Sequence, residues 1–310
     1  MGKPIIQSMK PLPMFIFTSL SVVIIGFFFQ LVAMLLGAVM FKIPVSELMS
    51  LGSLESQSII NAVKFIQIFG GIGTFIFSSL FLSFLYTGSW FAYFTARPYP
   101  GTVPIVLLIA IVITGLPFVN YLTEINMRMT IPIDRIEKLL RSMEEQTEGM
   151  MMKLIEADNM GGLLINLIMI AIIPAVGEEL LFRGLIQRHL AESFKNVHVA
   201  ILVTAVIFSM VHMQIYSFLP RFFLGLVLGY LLFIGRSIWY PIIAHFLNNA
   251  IGVIFYYLAY QEKAGDTLEE IGTSESMPML ALISFLAVLG FMMIMAKTVQ
   301  SLHPAHSEKD

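Results

Sequence analysis

Three short stretches of this chain set ionisable or amide side chains inside otherwise apolar sequence. They are Gly177-Glu178-Glu179-Leu180-Leu181-Phe182-Arg183-Gly184, Phe208-Ser209-Met210-Val211-His212, and His245-Phe246-Leu247-Asn248-Asn249. Ionisable groups within membrane helices are expensive and are functional candidates by default. A carboxylate and an imidazole together hold and deprotonate a water. A second imidazole and an amide donate hydrogen bonds to a developing oxyanion. Glu, His and His are also a zinc-ligand combination. Glu178, His212 and His245 are therefore candidate metal ligands, and the sequence does not decide whether a divalent metal such as zinc takes part. Either route hydrolyses an acyl bond. A serine nucleophile fits less well, because no Gly-x-Ser-x-Gly is present and Ser209 has no orienting acid beside it. His-Glu-x-x-His is also absent, so the pattern is not that of a standard zincin.

Helical geometry separates the roles. Residues four apart share a face, so Glu179 and Arg183 are placed to form an ion pair. Glu178 points ~100° away from Glu179 at 3.6 residues per turn and is free to face a cavity. His245 and Asn249 share a face, while Asn248 points elsewhere and suits a helix–helix contact. Each motif alone has a plainer reading. The first reads as a neutralised helix end with Arg188 and Glu192 nearby, the second as a packed histidine one turn from Phe208. A carboxylate, two histidines and an asparagine on three different apolar segments make a much stronger signal.

The elements that carry these residues are membrane helices. The chain has 310 residues, 57% hydrophobic and 12% charged, against about one-quarter charged in a soluble domain. A membrane helix needs ~20 mostly apolar residues, and eight segments qualify or nearly so: 14–41, 65–86, 103–121, 163–190, 197–213, 218–234, 238–260 and 279–296. The fifth and sixth are short enough to be re-entrant or tilted. The expected fold is an all-α polytopic bundle of about eight transmembrane helices. Lys3 and Lys10 precede the first apolar run, which exceeds the ~7–15 residues of a signal-peptide core and so reads as the first span. A net charge of −2 gives no reason to expect nucleic-acid binding. The absence of cysteine excludes disulfides, thiolate metal sites and a cysteine nucleophile. Gly70, Gly71, Gly73, Gly225 and Gly229 suit close helix contact, and Trp90, Tyr93 and Tyr99 suit an interfacial aromatic belt.

Residues 1–122 read as an N-terminal group of three helices and 123–162 as a polar amphipathic connection. Residues 163–260 read as a catalytic core of four helices, and 261–310 as a last helix with a polar tail. In the connection, Pro132 suits the first turn of a helix. Ile133, Ile136, Leu139, Leu140 and Met143 recur at helical spacing, and Gly161 and Gly162 are expected to end it. It reads as a helix on the membrane surface or as a gate over a site. Basic residues in tails and short connections number more on the side of the termini (Lys3, Lys10, Arg97, Arg188, Lys195, Arg236, Lys297, Lys309) than on the other (Lys42, Lys64, Arg221, Lys263). That bias points to cytoplasmic termini. Glu178 and His212 each lie about 15 residues into antiparallel helices at ~1.5 Å per residue. They meet if the fourth span extends past Leu190 or the fifth begins outside the lipid. His189 and His198 read as interfacial, His303 and His306 as tail residues, and Met150–Met152 as lipid-facing packing.

Glu178-Glu179-x-x-x-Arg183, Phe208-x-x-x-His212 and His245-x-x-x-Asn249, in this order, resemble the CAAX-protease and bacteriocin-processing (CPBP, or Abi) family of intramembrane proteases. The resemblance covers roughly 161–260. It implies an eight-helix fold with a site in a membrane cavity. It also implies Glu178 as general base with His212, His245 and Asn249 stabilising the oxyanion, and Glu179 and Arg183 in support. The expected partners are the lipid bilayer and a membrane-associated peptide or protein substrate, in the cell membrane of a bacterium. Two other readings stand beside it. A proton-coupled transporter would favour inverted repeats and broken helices in both halves, whereas the polar residues here cluster in the second half. A non-catalytic immunity or scaffold protein would keep the motifs without turnover.

Overall fold

The computed structural model describes residues 5–6, 9–49, 56–94, 99–261 and 278–302. Among them all regular structure is helical. The principal helices are α1 (Pro11–Phe41), α2 (Gln57–Thr87), α3 (Thr102–Met127), α4 (Asp134–Ile155), α5 (Met160–Phe194), α6 (Val197–Met210), α7 (Phe218–Gly235), α8 (Trp239–Tyr260) and α9 (Pro278–Leu302). Seven segments are long and apolar enough to cross a membrane, one of them being α7 with the turn Ile215–Ser217 that precedes it. The shorter apolar α6 is the eighth of the expected helices. His303 and His306 lie outside the described residues.

Local chemistry sets the ends of these helices. Pro11 opens α1, where a missing N–H costs nothing. Asn196 caps α6, its Oδ1 accepting from the N–H groups of His198 at 2.9 Å and Val199 at 3.2 Å. Asn159 caps α5 in the same way, accepting from Gly162 N–H at 3.0 Å. Gly161 and Gly162 therefore open a helix rather than end one, because the Asn159 cap is the stronger local signal. The preceding helix stops at Ile155. Pro132 likewise lies outside α4, whose cap position is Ile133.

The fourth span extends past Leu190 to Phe194, which is one of the two conditions under which Glu178 was expected to come level with His212. It contains two π-helical turns, Leu167–Ile172 and Leu180–Ile186, on either side of the α-helical Ile173–Glu179. Pro174 accounts for the first. It lacks the N–H that would bond the Ile170 carbonyl, and its ring crowds that carbonyl, so the turn widens. Helix α6 has 14 residues, about 21 Å at 1.5 Å per residue. That is less than the ~30 Å hydrocarbon thickness, and its far end carries the exposed Met210, Val211 and Met213 beside the half-buried His212.

Packing falls into three clusters. Leu181, Phe182, Leu185 and Phe208 join α5 and α6 to α2. Leu108, Ile111, Leu228, Leu231 and Met295 join α3, α7 and α9. Ala62, Ile66, Leu154 and Met169 join α2, α4 and α5. Without a hydrophobic drive between helices in lipid, close approach through small residues matters. A Cβ on Gly177 would meet the Phe75 Cβ at 2.6 Å, and one on Gly225 the Ala205 Cα at 3.0 Å. The outward faces of α1 and α9 are apolar, Phe27 being 74% exposed, as lipid contact demands.

Two cations expected in connections lie elsewhere. Lys64 is buried in α2 and donates to Asn166 Oδ1 at 2.9 Å, because an amide on α5 supplies its acceptor. Arg221 is half-buried in the first turn of α7. Both were counted on the side opposite the termini, and Lys3, Arg97, Lys263 and Lys309 of the same count lie outside the described residues.

Candidate active site

The expected ion pair forms at full burial. Arg183 Nη1 donates to Glu179 Oε1 at 2.8 Å, with no exposure of either side chain. The same oxygen accepts from His245 Nδ1 at 2.8 Å. A buried carboxylate between a guanidinium and an imidazole is compensated where a lone one would be costly. Arg183 Nη2 donates to the Gly225 carbonyl at 3.1 Å, which ties α5 to α7. Carboxylate and imidazole together fix which nitrogen of His245 faces inward. A proton sits on Nδ1, and Nε2 is left for other partners.

His212 is oriented by a different device. Its Nδ1 lies 2.8 Å from the Phe208 carbonyl. A carbonyl only accepts, so Nδ1 is the donor, and in the neutral ring Nε2 carries a lone pair. The Phe208 ring is the common neighbour of the site. Its centroid is 5.3 Å from His212, 5.9 Å from His245 and 4.6 Å from the Arg183 guanidinium carbon. The i, i+4 spacing of Phe208 and His212 thus sets the ring and the imidazole side by side on one face.

Glu178 stays outside the Arg183–Glu179–His245 chain, as its ~100° offset from Glu179 predicts, and is half-buried. It lies within electrostatic reach of His245, Glu179, Arg183 and Arg221. Arg221 also acts on His212. Arg221 is thus a member of the site that was expected only as a loop cation. A signal for it existed: a cation in the first turn of a helix opposes the macrodipole, so its place there asks for a reason.

Asn249 donates from Nδ2 to the Ile170 carbonyl at 3.0 Å, and its Oδ1 accepts from Asn248 Nδ2 at 3.1 Å. One amide N–H of Asn249 is left over. Asn248 faces the α3 and α9 side, as a helix contact should, and also orients its neighbour. His189 differs from its interfacial expectation. It is fully buried against the rings of Tyr86 and Tyr93, at 5.7 and 6.0 Å, because α5 runs on into the bundle there. His198 is exposed and meets the Tyr230 hydroxyl at 3.1 Å.

Among the described residues no three His, Asp or Glu side chains gather in metal-binding geometry. Glu178, His212 and His245 therefore do not form such a group as arranged.

Helix α4 covers the turn that follows His212. Glu137, Arg141 and Glu144 share one face. Glu137 accepts from the Tyr216 hydroxyl at 2.5 Å and from Arg141 Nε at 2.6 Å. Glu144 accepts from Ser217 at 2.6 Å and Gln214 at 3.3 Å. Ile136, Leu139 and Met143 point outward and are exposed. The polar face thus meets the protein and the apolar face is open, as suits a helix at a membrane surface.

Residues 160–251, from the start of α5 into α8, match the family model described as Type II CAAX prenyl endopeptidase Rce1-like. All three motifs fall within that match. No curated protein and no solved structure matches the chain.

Proposed function

We propose that this chain is an intramembrane endopeptidase of the CAAX-protease type. In it, a water held between Glu178 and His212 attacks the carbonyl of a peptide bond in a membrane-associated substrate. Glu178 takes a proton from the water as the oxygen bonds to the carbonyl carbon. The displaced electron pair settles on the carbonyl oxygen. There His245 and the remaining N–H of Asn249 meet the charge. When the intermediate collapses, the C–N bond breaks. The proton reaches the leaving nitrogen through His212, and the site returns to its starting state.

The observation that carries this reading is the Arg183–Glu179–His245 chain. It uses Glu179 to hold one ring in place and leaves Glu178, one residue earlier, to do acid–base work. An ion pair whose only task was to join helices would not need a histidine on the same oxygen. The family match supports peptidase chemistry in the same segment. We place the protein in the cell membrane of a bacterium with both termini in the cytoplasm.

Glu178→Gln keeps shape and removes the base. Comparative proteomics of cells carrying the wild type or this variant should show membrane-associated substrates accumulating uncut in the variant. Equal peptide patterns from both strains, together with equal inactivity of the purified proteins on those substrates, would remove the protease reading. Loss of an ion or solute flux, with peptides unchanged, would replace it with transport.

A further inference from the structure

Glu178 and Glu179 are adjacent carboxylates inside the bundle, and such neighbours repel unless cations are at hand. Arg183 is committed to Glu179 at 2.8 Å and to the Gly225 carbonyl at 3.1 Å. The other guanidinium in electrostatic reach of Glu178 is that of Arg221. The proposed reaction leaves Arg221 without a task.

The path of α7 places this side chain. Gly225, one turn after Arg221, lies on the same face. A Cβ on Gly225 would lie 3.0 Å from the Ala205 Cα and 3.4 Å from Phe208 Cδ1, and one on Gly229 would lie 2.8 Å from Ile201. Helices α6 and α7 thus run antiparallel, and one turn earlier Arg221 comes level with Ser209, between Phe208 and His212. The Ser209 hydroxyl, donating to the Phe218 carbonyl at 2.7 Å, fixes that register. Arg221 Nη1 is shut off from solvent and makes no hydrogen bond, a costly state for a charged donor unless an acceptor comes to it.

The other terminal nitrogen is held from α4. Arg221 Nη2 donates to Gln214 Oε1. Gln214 Nε2 donates to Glu144 Oε1 at 3.3 Å, and the Ser217 hydroxyl donates to the same oxygen at 2.6 Å. A chain of hydrogen bonds therefore runs from the surface helix, through the turn after His212, to a guanidinium beside Glu178 and His212. Gln214, Glu144 and Arg221 all lie outside the three motifs.

We infer that Arg221 is a positioning residue for the reaction, steadying the Glu178 carboxylate beside His212, and that α4 holds Arg221 in place through Glu144 and Gln214. For its effect on turnover this rests on the proteolytic reading. A guanidinium is a planar donor, and a carboxylate held at one oxygen presents the other to a water at a fixed angle. Docking of α4 and the order of the site are then coupled, and the coupling acts in both directions.

The test uses the full-length protein in lipid vesicles, with a membrane-associated peptide that the wild type cuts and Glu178→Gln leaves intact. Arg221→Gln should lower kcat about tenfold or more with KM nearly unchanged, the loss expected for one charge-assisted bond. Arg221→Lys, which keeps the charge, should recover part of it. Gln214→Leu, which breaks the chain outside the site, should lower kcat in the same direction. The double variant should be no slower than Arg221→Gln alone. Lys138→Gln, an exposed change on α4 outside the chain, should leave kcat unaltered. Hydrogen exchange over 134–155 needs no turnover and reads the other end of the chain: Arg221→Gln should speed it about fivefold. Full kcat in Arg221→Gln while Glu178→Gln is inactive would overturn the positioning role and leave the protease reading intact. Multiplicative effects in the double variant, or exchange unmoved by Arg221→Gln, would overturn the coupling to α4. Where thermal unfolding shows Arg221→Gln misfolded, Arg221→Lys takes its place, with a smaller fall in kcat expected and full kcat overturning the role. If no peptide separates the wild type from Glu178→Gln, the protease reading fails and the positioning role with it, and exchange alone decides the coupling.

Discussion

Asn249 donates its amide to the Ile170 carbonyl at 3.0 Å, the carbonyl that Pro174 leaves without an α-helical donor. A residue expected to serve only the oxyanion therefore also repairs a helix on another span. Asn249→Ala should lower stability as well as turnover, by about 1 kcal/mol for the unpaired carbonyl. Pro174→Ala restores an N–H at residue 174. The double variant should regain thermal stability but not activity. If it unfolds no later than Asn249→Ala alone, the repair role is wrong.

Asn248 should matter more than a lipid-side amide would. It holds Asn249 Oδ1 at 3.1 Å and so decides which way that amide points. Asn248→Ala should reduce turnover by less than Asn249→Ala and leave the substrate KM nearly unchanged. Steady-state kinetics on a cleaved peptide would separate the two. An Asn248→Ala enzyme with full kcat would show that the amide is held by Ile170 alone.

Arg183→Ala leaves Glu179 buried with only His245 and frees the Gly225 carbonyl. Removing one partner of a buried pair typically costs ~3–5 kcal/mol, so folded yield should fall with activity. Thermal unfolding in detergent is the measurement. An unchanged midpoint would contradict the pairing. Glu178→Gln should behave in the opposite way, with proteolysis down on the order of 10²–10⁴-fold and the fold intact. His212→Ala should match it in direction.

The docking of α4 should depend on pH. The Tyr216 hydroxyl, the Ile131 N–H and Arg141 hold the Glu137 carboxyl below the usual carboxylate range. A group depressed in the docked state stabilises docking above its undocked pKa, and that stabilisation is lost as pH falls through the docked value. Hydrogen exchange over 134–155, corrected for intrinsic rates, should show α4 protected near neutral pH and opening in acid. Glu137→Gln should open it at neutral pH and flatten the profile. Protection that stays constant down to strongly acidic pH would show that the apolar face and Leu154, rather than the Glu137 bonds, hold the helix.

What was legible in the sequence is what one helix decides for itself. The eight apolar segments follow from composition and length. The Glu179–Arg183 pair and the separate direction of Glu178 follow from 3.6 residues per turn. The Phe208–His212 contact follows from the same period. Other features needed the tertiary structure. Nothing in the spacing says that His245 would share Glu179, that Arg221 would reach Glu178 and His212, or that His189 and Lys64 would be buried. The outcome for α4 was similar: its amphipathic period was readable, but not that its polar face would dock on the turn after His212. Each of these depends on how far one helix runs past another. Here the π turns beside Pro174, the close contacts at Gly177 and Gly225, and the early stop of α6 set those offsets. Periodicity fixes the face of a residue on its own helix, whereas its depth and its partner are set by packing between helices distant in sequence.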